Sequence, residues 1–426
     1  MTEQTYPKDQ NKQKEKRPYG LLGKTLKHSF SPQLHAAIGA LLKESYPYIL
    51  FEKQPEELEA FLRGDAWAGL NVTIPYKEAV IPYCDKLSEE AAAIGAVNTI
   101  IRDGDRLIGH NTDYAGFRSL LCKNEVPVRG ANCLVLGSGG ASKTVQCVLR
   151  DLGAAKVTVV SRSGAVNYEN VSQQQDAEIL VNTTPIGMYP NNGNSPLYPG
   201  SFADLKWVVD VIYNPLRTNL LCQANKALME TAGGLGMLIG QGIAAAEYFL
   251  GHKIPDTIGQ QIETDMMKEK QNVVLIGMPG VGKTTVGAAI ASMMGRELYD
   301  IDEMIVYEDG REIPQIFAEE GEEYFRQLEQ KVVLSLANVT GAVIACGGGV
   351  VTREENYYAL AENGRLFFLN RNLAMLPTDG RPISQAAPLA RLYQVRLPLY
   401  RSWCDAELTI TGMSPEEAAR HIIDML

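Results

Sequence analysis

The run Gly277–Met278–Pro279–Gly280–Val281–Gly282–Lys283–Thr284 has the spacing GxxxxGK[ST] and stands between an apolar strand pattern, NVVLIG, and a helix pattern that begins near Lys283. In such a loop consecutive backbone N–H groups wrap phosphates, the lysine reaches the group being transferred, and the threonine hydroxyl serves a magnesium ion. The types and spacing therefore point to ATP chemistry, with Gly280, Val281, Gly282 and Thr285 as nucleotide contacts and Thr284 as a metal ligand. A second glycine turn stands earlier, where Leu134–Val135–Leu136 runs into Gly137–Ser138–Gly139–Gly140–Ala141 and a helix opens at about Ser142. Glycine lets a diphosphate approach the backbone and sit on a helix N-terminus. As a bare pattern this is equally an ordinary tight turn, but its place between strand and helix favours a dinucleotide. NAD binders usually offer an acid at the end of the next strand, whereas VTVVSR ends in Ser161 and Arg162. A guanidinium pairs with a 2′-phosphate, so NADP is expected.

These loops need strands and helices in alternation, and the chain supplies them. YGLLG, YILF, GLNVTIP and VNTII come first, then ANCLVL, VTVVSR, EILVNTTP and WVVDVIYN, then NVVLIG, with helical patterns between. That alternation implies α/β architecture with parallel, doubly wound sheets. With 426 residues, 45% hydrophobic and 21% charged, the chain has material for two or three cores. A net charge of −10 argues against nucleic acid as the main partner but leaves small anions open. The seven cysteines form no CxxC pair and no zinc spacing, which fits reduced thiols and a cytoplasmic home. No apolar run approaches the length of a membrane span, and Met1–Arg17 has no signal-peptide core.

Between residues 19 and 265 six further motifs follow in order. They are Ser29–Phe30–Ser31–Pro32 with His35, Asn71–Val72–Thr73–Ile74–Pro75–Tyr76–Lys77, Gly95–Ala96–Val97–Asn98–Thr99, Asn111–Thr112–Asp113, Tyr213–Asn214–Pro215, and Gly236–Met237–Leu238 ahead of Gln241. Singly they read blandly, as a surface lysine or a helix cap. Together they resemble the shikimate dehydrogenase family. The resemblance implies a substrate-binding domain and a Rossmann NADP domain. It places shikimate against Ser29, Ser31, Thr73, Asn98, Asp113, Tyr213 and Gln241, and the nicotinamide beside Ile212 and Gly234. Hydride delivery to a ketone leaves alkoxide character on oxygen, so a proton donor must stand there; Lys77 fits, with Asp113 to orient it.

Beyond the phosphate loop come Asp300–Ile301–Asp302, then Arg326 with Glu329, Gly347–Gly348–Gly349, Gly380–Arg381–Pro382, and Arg396 ahead of Pro398–Leu399–Tyr400. Residues 272–426 resemble shikimate kinase, a P-loop NTPase fold with a parallel sheet. The resemblance puts shikimate against Asp302, Arg326, Gly348 and Arg396, Asp300 near Mg²⁺, and Arg381 in a lid over ATP. Two arginines suit a carboxylate clamp, and Asp302 suits alignment of the attacking hydroxyl.

The expected organisation is a tail over 1–18, a substrate-binding domain over 19–116 with 237–265 packing back on it, and an NADP domain over 117–236. A polar linker region over 251–271 and a kinase domain over 272–426 complete it. Each side of the junction owns a full set of site residues, so residues 1–270 and 271–426 are expected to fold separately. The expected activities are NADPH-dependent reduction of 3-dehydroshikimate and ATP-dependent phosphorylation of shikimate. A quinate/shikimate dehydrogenase fused to another small-molecule kinase, and a non-catalytic ligand sensor, are the alternatives. The sensor would need loss of Lys77, Asp113, Lys283 or Asp302, and all four are present. The oligomeric state is left open.

Overall fold

The computed structural model describes residues 17–26, 29–376 and 389–426. They form two units that do not follow chain order. The first contains the residues up to Pro185 together with Pro196–Tyr213 and Ala227–Asp265. The second contains Ile186–Ser195, Asn214–Lys226 and Met266–Leu426.

The first unit holds two sheets. β1 (Tyr19–Gly23), β2 (Tyr48–Glu52), β3 (Gly69–Val72), β4 (Lys86–Leu87), β5 (Thr99–Asp103) and β6 (Arg106–His110) lie in the order β2-β1-β3-β5-β6-β4. β1 is parallel to β2 and β3, but β5 runs antiparallel to both β3 and β6, so this sheet is mixed rather than wholly parallel. The cause is local. Asp103 pairs with Arg106 across a two-residue Gly-Asp loop, and Gly104 takes the positive φ of 63° that such a hairpin needs.

The second sheet has β7 (Asn132–Leu136), β8 (Lys156–Val160), β9 (Ile179–Asn182), β10 (Trp207–Asp210) and β11 (Glu230–Ala232) in the order β11-β10-β9-β7-β8, all parallel. Val135, Val145, Val148, Ile179 and Val209 close its core. The helix Leu235–Leu250 packs on residues before 117. Gly242 lies so close to Leu34 that a Cβ would stand 2.4 Å from Cδ2, and Tyr19 stacks on Phe249 while donating its hydroxyl to the Phe249 carbonyl at 2.8 Å.

The second unit has one parallel sheet: β12 (Asn272–Ile276), β13 (Leu298–Asp300), β14 (Val343–Ala345), β15 (Gly364–Asn370) and β16 (Ala406–Thr409), in the order β13-β14-β12-β15-β16. Every residue of β12 is buried, as the apolar run Val273–Ile276 requires of a central parallel strand, and Asn272 at its start is hydrogen-bonded to Val339 and Ala342. The stretch 251–271, expected as a polar linker, is mostly a helix, Asp256–Lys270. Among the described residues no helix is long and apolar enough to cross a membrane.

Residues 186–195 and 214–226 lie in the stretch expected to belong wholly to the NADP domain, yet they complete the second unit. Cys222 is fully buried in the core that holds Val274 and Phe367. Lys226 stands 4.3 Å from the Tyr357 ring centre and bonds Glu354 at 2.7 Å. The buried Glu362 carboxylate accepts from Asn192 Nδ2 at 2.6 Å and from the Gly193 N–H at 2.8 Å, and the Glu362 carbonyl accepts from the Arg217 N–H. Burial pushes Glu362 up to about 7 against those two bonds. A fragment of residues 271–426 uncovers this apolar face and strips Glu362 of its donors. We expect it to melt roughly 10 °C below the second unit of the full chain, the shift that a few kcal/mol gives in a domain of this size. Calorimetry of both proteins checks this, and coincident transitions would show that the segments contribute nothing.

Candidate functional sites

In the first unit a cavity of about 500 Å³ is lined by Ser29, Ser31, Thr73, Lys77, Asn98, Asp113, Tyr213, Gly234 and Gln241, so nearly the whole expected set meets in one place. Lys77 sits on the short helix Tyr76–Ala79 immediately after β3, and its carbonyl accepts from the Val97 N–H at 2.8 Å, which fixes the turn. Asp113 lies in the first turn of the helix Thr112–Lys123, capped by the Asn111 side chain. The two meet: Lys77 Nζ donates to Asp113 Oδ2 at 2.6 Å, with 30% and 17% of the side chains exposed to the cavity. In Asn111–Thr112–Asp113, Asn111 is thus the cap and Asp113 lines the cavity.

Asn98 is buried and spends its oxygen on the Thr112 N–H at 2.6 Å, which leaves its amide nitrogen to serve the cavity. Gln241 does the reverse, donating to the Leu238 carbonyl at 3.1 Å. Ser29 Oγ accepts from the Ser31 N–H at 3.2 Å, and Phe30 between them sets its ring edge-on to Tyr213 at 5.5 Å. Phe30, Thr25, Leu26 and Met237 also line the cavity and were not foreseen. Phe30 and Met237 stood inside motifs already noted, whereas nothing in the local pattern singles out Thr25 or Leu26.

His35, another motif residue, is structural. It is buried, stacks on Tyr48 at 4.0 Å, and lies 3.1 Å from Asn71 Oδ1 and 2.9 Å from the Tyr46 hydroxyl. Since Asn71 Oδ1 only accepts, Nε2 carries the proton and Nδ1 accepts from Tyr46. Burial pushes the imidazole down to about 3. The folded state therefore binds fewer protons than the unfolded one between about pH 3 and 6.5, and this contribution to stability is lost as pH falls through that window. NMR titration should show the His35 ring shifts constant from pH 8 to about 5; a midpoint near 6.5 would contradict the burial argument.

The dinucleotide turn follows β7. Gly137 adopts φ 103° against Thr183, and Gly139 caps the helix Gly140–Asp151, which begins slightly before the expected Ser142. Ser138, Gly139 and Gly140 are exposed, and Cβ atoms on these two glycines would meet nothing within 4 Å. The cradle is open on the side where a diphosphate belongs, with Ala141 next along the helix. Ser161 and the exposed Arg162 follow the end of β8. Ile212 is buried, and its carbonyl accepts from the Gly234 N–H at 3.0 Å; Gly234 is pressed so close to Val211 that no side chain fits.

In the second unit Gly277, Gly280 and Gly282 all take positive φ in the loop between β12 and the helix Lys283–Met294. Lys283 Nζ donates to the carbonyls of Gly277 and Met278 at 2.9 and 3.0 Å, curled over the loop it serves. Val281 is buried, so it presents only backbone, whereas Thr284 and Thr285 are exposed. Thr284 Oγ1 donates to Asp300 Oδ2 at 2.6 Å. This oxygen pair suits a hard cation that takes most of its ligands from phosphate and water. Among the described residues no cluster of three His, Cys, Asp or Glu forms a self-sufficient metal site. Asp300 also caps the next helix, its Oδ1 accepting from the Asp302 N–H at 2.9 Å.

The glycine triplet joins the remaining groups. A Cβ at Gly347 would stand 2.8 Å from Asp302 Oδ1 and 2.7 Å from Glu329 Oε1, and one at Gly349 would overlap the Arg326 guanidinium. Arg326 is buried and donates to Glu329 at 2.6 Å, and burial raises Glu329 despite that arginine. Arg396, 4% exposed, donates to the Gly348 carbonyl at 3.0 Å and has no ion pair among the described residues. Arg381 lies outside the described residues.

Residues 21–100 match the family model of the shikimate dehydrogenase substrate binding domain, and residues 279–426 match that of shikimate kinase. A shikimate dehydrogenase (NADP(+)) of Clostridium beijerinckii is 40% identical over 244 residues, which span 54% of this chain and 90% of that protein. The chain belongs to the shikimate dehydrogenase family. That of Methanopyrus kandleri is 37% identical, covering 55% of this chain and 91% of the relative. Among solved structures, a chorismate mutase/shikimate 5-dehydrogenase fusion protein from Clostridium acetobutylicum is similar at 35% identity and TM-score 0.57, covering 59% of this chain and 97% of that one. Shikimate 5-dehydrogenase from Thermus thermophilus, in complex with NADP(H) and shikimate, is similar at 31% identity and TM-score 0.53, covering 58% and 99%. To the dehydrogenase this chain adds a shikimate kinase domain.

Proposed function

We infer that the chain is a bifunctional enzyme of the shikimate pathway, reducing 3-dehydroshikimate with NADPH and phosphorylating shikimate with ATP. What supports the reading is that each of the two units has its own nucleotide loop together with a set of polar groups suited to one polyhydroxylated carboxylate. The first surrounds it with hydroxyls and amides and one ammonium; the second offers two buried arginines.

NADPH, when bound, supplies the hydride. Lys77 then gives a proton to the carbonyl oxygen as negative charge develops there, and Asp113 holds the ammonium and accepts from a substrate hydroxyl. Ser29, Ser31, Thr73, Asn98, Tyr213 and Gln241 orient the ring. Arg162 and Ser161 would hold the 2′-phosphate end of the cofactor, and Gly234 and Ile212 would border its nicotinamide. In the kinase part Arg326 and Arg396 clamp the carboxylate, with Glu329 fixing Arg326. Asp302 aligns the hydroxyl that attacks the γ-phosphate, and Lys283 neutralises charge on the group in transit. Thr284 and Asp300 would hold Mg²⁺, whose contribution is charge neutralisation on the phosphates. Seven unpaired cysteines favour the cytoplasm as its place.

The reading is tested on purified full-length protein by NADPH oxidation with dehydroshikimate and ADP release with shikimate. Lys77→Ala should lower dehydrogenase kcat by about 10²–10³-fold, leaving NADPH affinity and shikimate phosphorylation unchanged, because the ammonium acts on charge that develops in the transition state. Near-normal turnover in this variant would remove Lys77 from the reaction.

A further inference from the structure

The peptide of Gly348 is a joint between three parts of the kinase unit. Its Cα faces the phosphate loop: a Cβ there would stand 2.5 Å from Cγ and Cδ of Pro279. Its carbonyl oxygen accepts from Arg396 Nη1 at 3.0 Å and also from the hydroxyl of Tyr400. Arg396 and Tyr400 are one turn apart on the helix Leu389–Trp403, so both reach the same oxygen from one face.

Tyr400 is fully buried, and its ring stacks on Phe368 at 4.9 Å and 16°. Phe368 pairs in β15 with Ile276, the last residue of β12 before the phosphate loop. The hydroxyl also lies 3.9 Å from Met278 Sδ, inside that loop. The phenol position is thus referenced to the ATP side, while its polar end points at the acceptor side. Burial raises the phenol and outweighs the opposing pull of the Arg396 guanidinium, so the hydroxyl stays protonated. Its single proton goes to the Gly348 oxygen, and its lone pairs face the arginine.

We propose that Tyr400 is a positioning residue of the kinase reaction: through the Gly348 carbonyl it sets the Arg396 guanidinium against the acceptor carboxylate, in register with the phosphate loop. This rests on the reading of the C-terminal domain as a shikimate kinase. Arg396 makes no ion pair among the described residues, Glu329 acting on it only at a distance, so its hydrogen bonds go to the neutral oxygens of Gly348 and Tyr400, and two of them fix its plane better than one.

The test uses full-length wild type, Tyr400→Phe, Arg396→Ala and the double variant. Tyr400→Phe keeps the stack and removes only the hydroxyl, so KM for shikimate should rise by about 5- to 20-fold. Its kcat, KM for ATP and dehydrogenase kinetics should stay within about twofold of wild type. In the Arg396→Ala background the same change should alter KM by less than about twofold, because the group it acts through is gone. An unchanged KM in Tyr400→Phe, or an equal effect in both backgrounds, overturns the proposal and leaves Tyr400 a packing residue. Should the single variant melt lower, the paired comparison below both melting temperatures still decides. Failure of wild type to phosphorylate shikimate would instead overturn the kinase reading itself.

Discussion

A parallel strand that turns directly into a helix aims free N–H groups past its carboxyl end, and both reactions depend on keeping that place clear of side chains. β7 and β12 each reach such a turn, and each turn is built from glycines that answer two different demands. Gly137 and Gly277 are glycines for the sake of the protein, since a Cβ would strike Thr183 in one case and the Leu369 carbonyl in the other. Gly139 and Gly140 face open space with no positive φ to demand glycine, so their bareness serves something outside the protein, whereas Gly282 also faces open space but takes φ 106°, which by itself asks for glycine. The same residue type thus marks packing and ligand approach within a few positions of each other.

The two sites hold charge in different ways. Lys77 and Asp113 remain partly exposed, so the pair keeps much of its solvation. Arg326 and Glu329 are sealed, with 6% and 1% of their side chains exposed, and a sealed pair must recover its desolvation cost through geometry. Glu329 still feels burial more than it feels the arginine. The sealed pair is held in one geometry, whereas the open pair stays accessible from the cavity.

Most of this was legible in sequence where neighbours along the chain make the structure. The strand-turn-helix patterns placed both loops, and the spaced motifs that named Lys77, Asp113 and Asp302 also held Phe30 and Met237. What was hidden depends on contacts between distant residues. The β5–β6 hairpin lay in the run IRDGDRL, but the strand-helix alternation on either side suggested a parallel sheet. Nothing in GMYPNNGNS or in NPLRTNLLCQANK betrays that Asn192, Cys222 and Lys226 pack with residues from 354 onward. Glu362 looks like a surface charge until its two donors, from Asn192 and Gly193, are seen.

One chain that makes shikimate at one site and consumes it at another should couple the two stoichiometrically. The most direct measurement follows NADPH oxidation and ADP release together when the full-length protein is given dehydroshikimate, NADPH, ATP and Mg²⁺, with no shikimate added. The account predicts that ADP release needs NADPH, follows it, and approaches one ADP per NADPH consumed, with a phosphorylated shikimate as the end product. ADP release that ignores NADPH, or NADPH oxidation that leaves shikimate unphosphorylated, would contradict it.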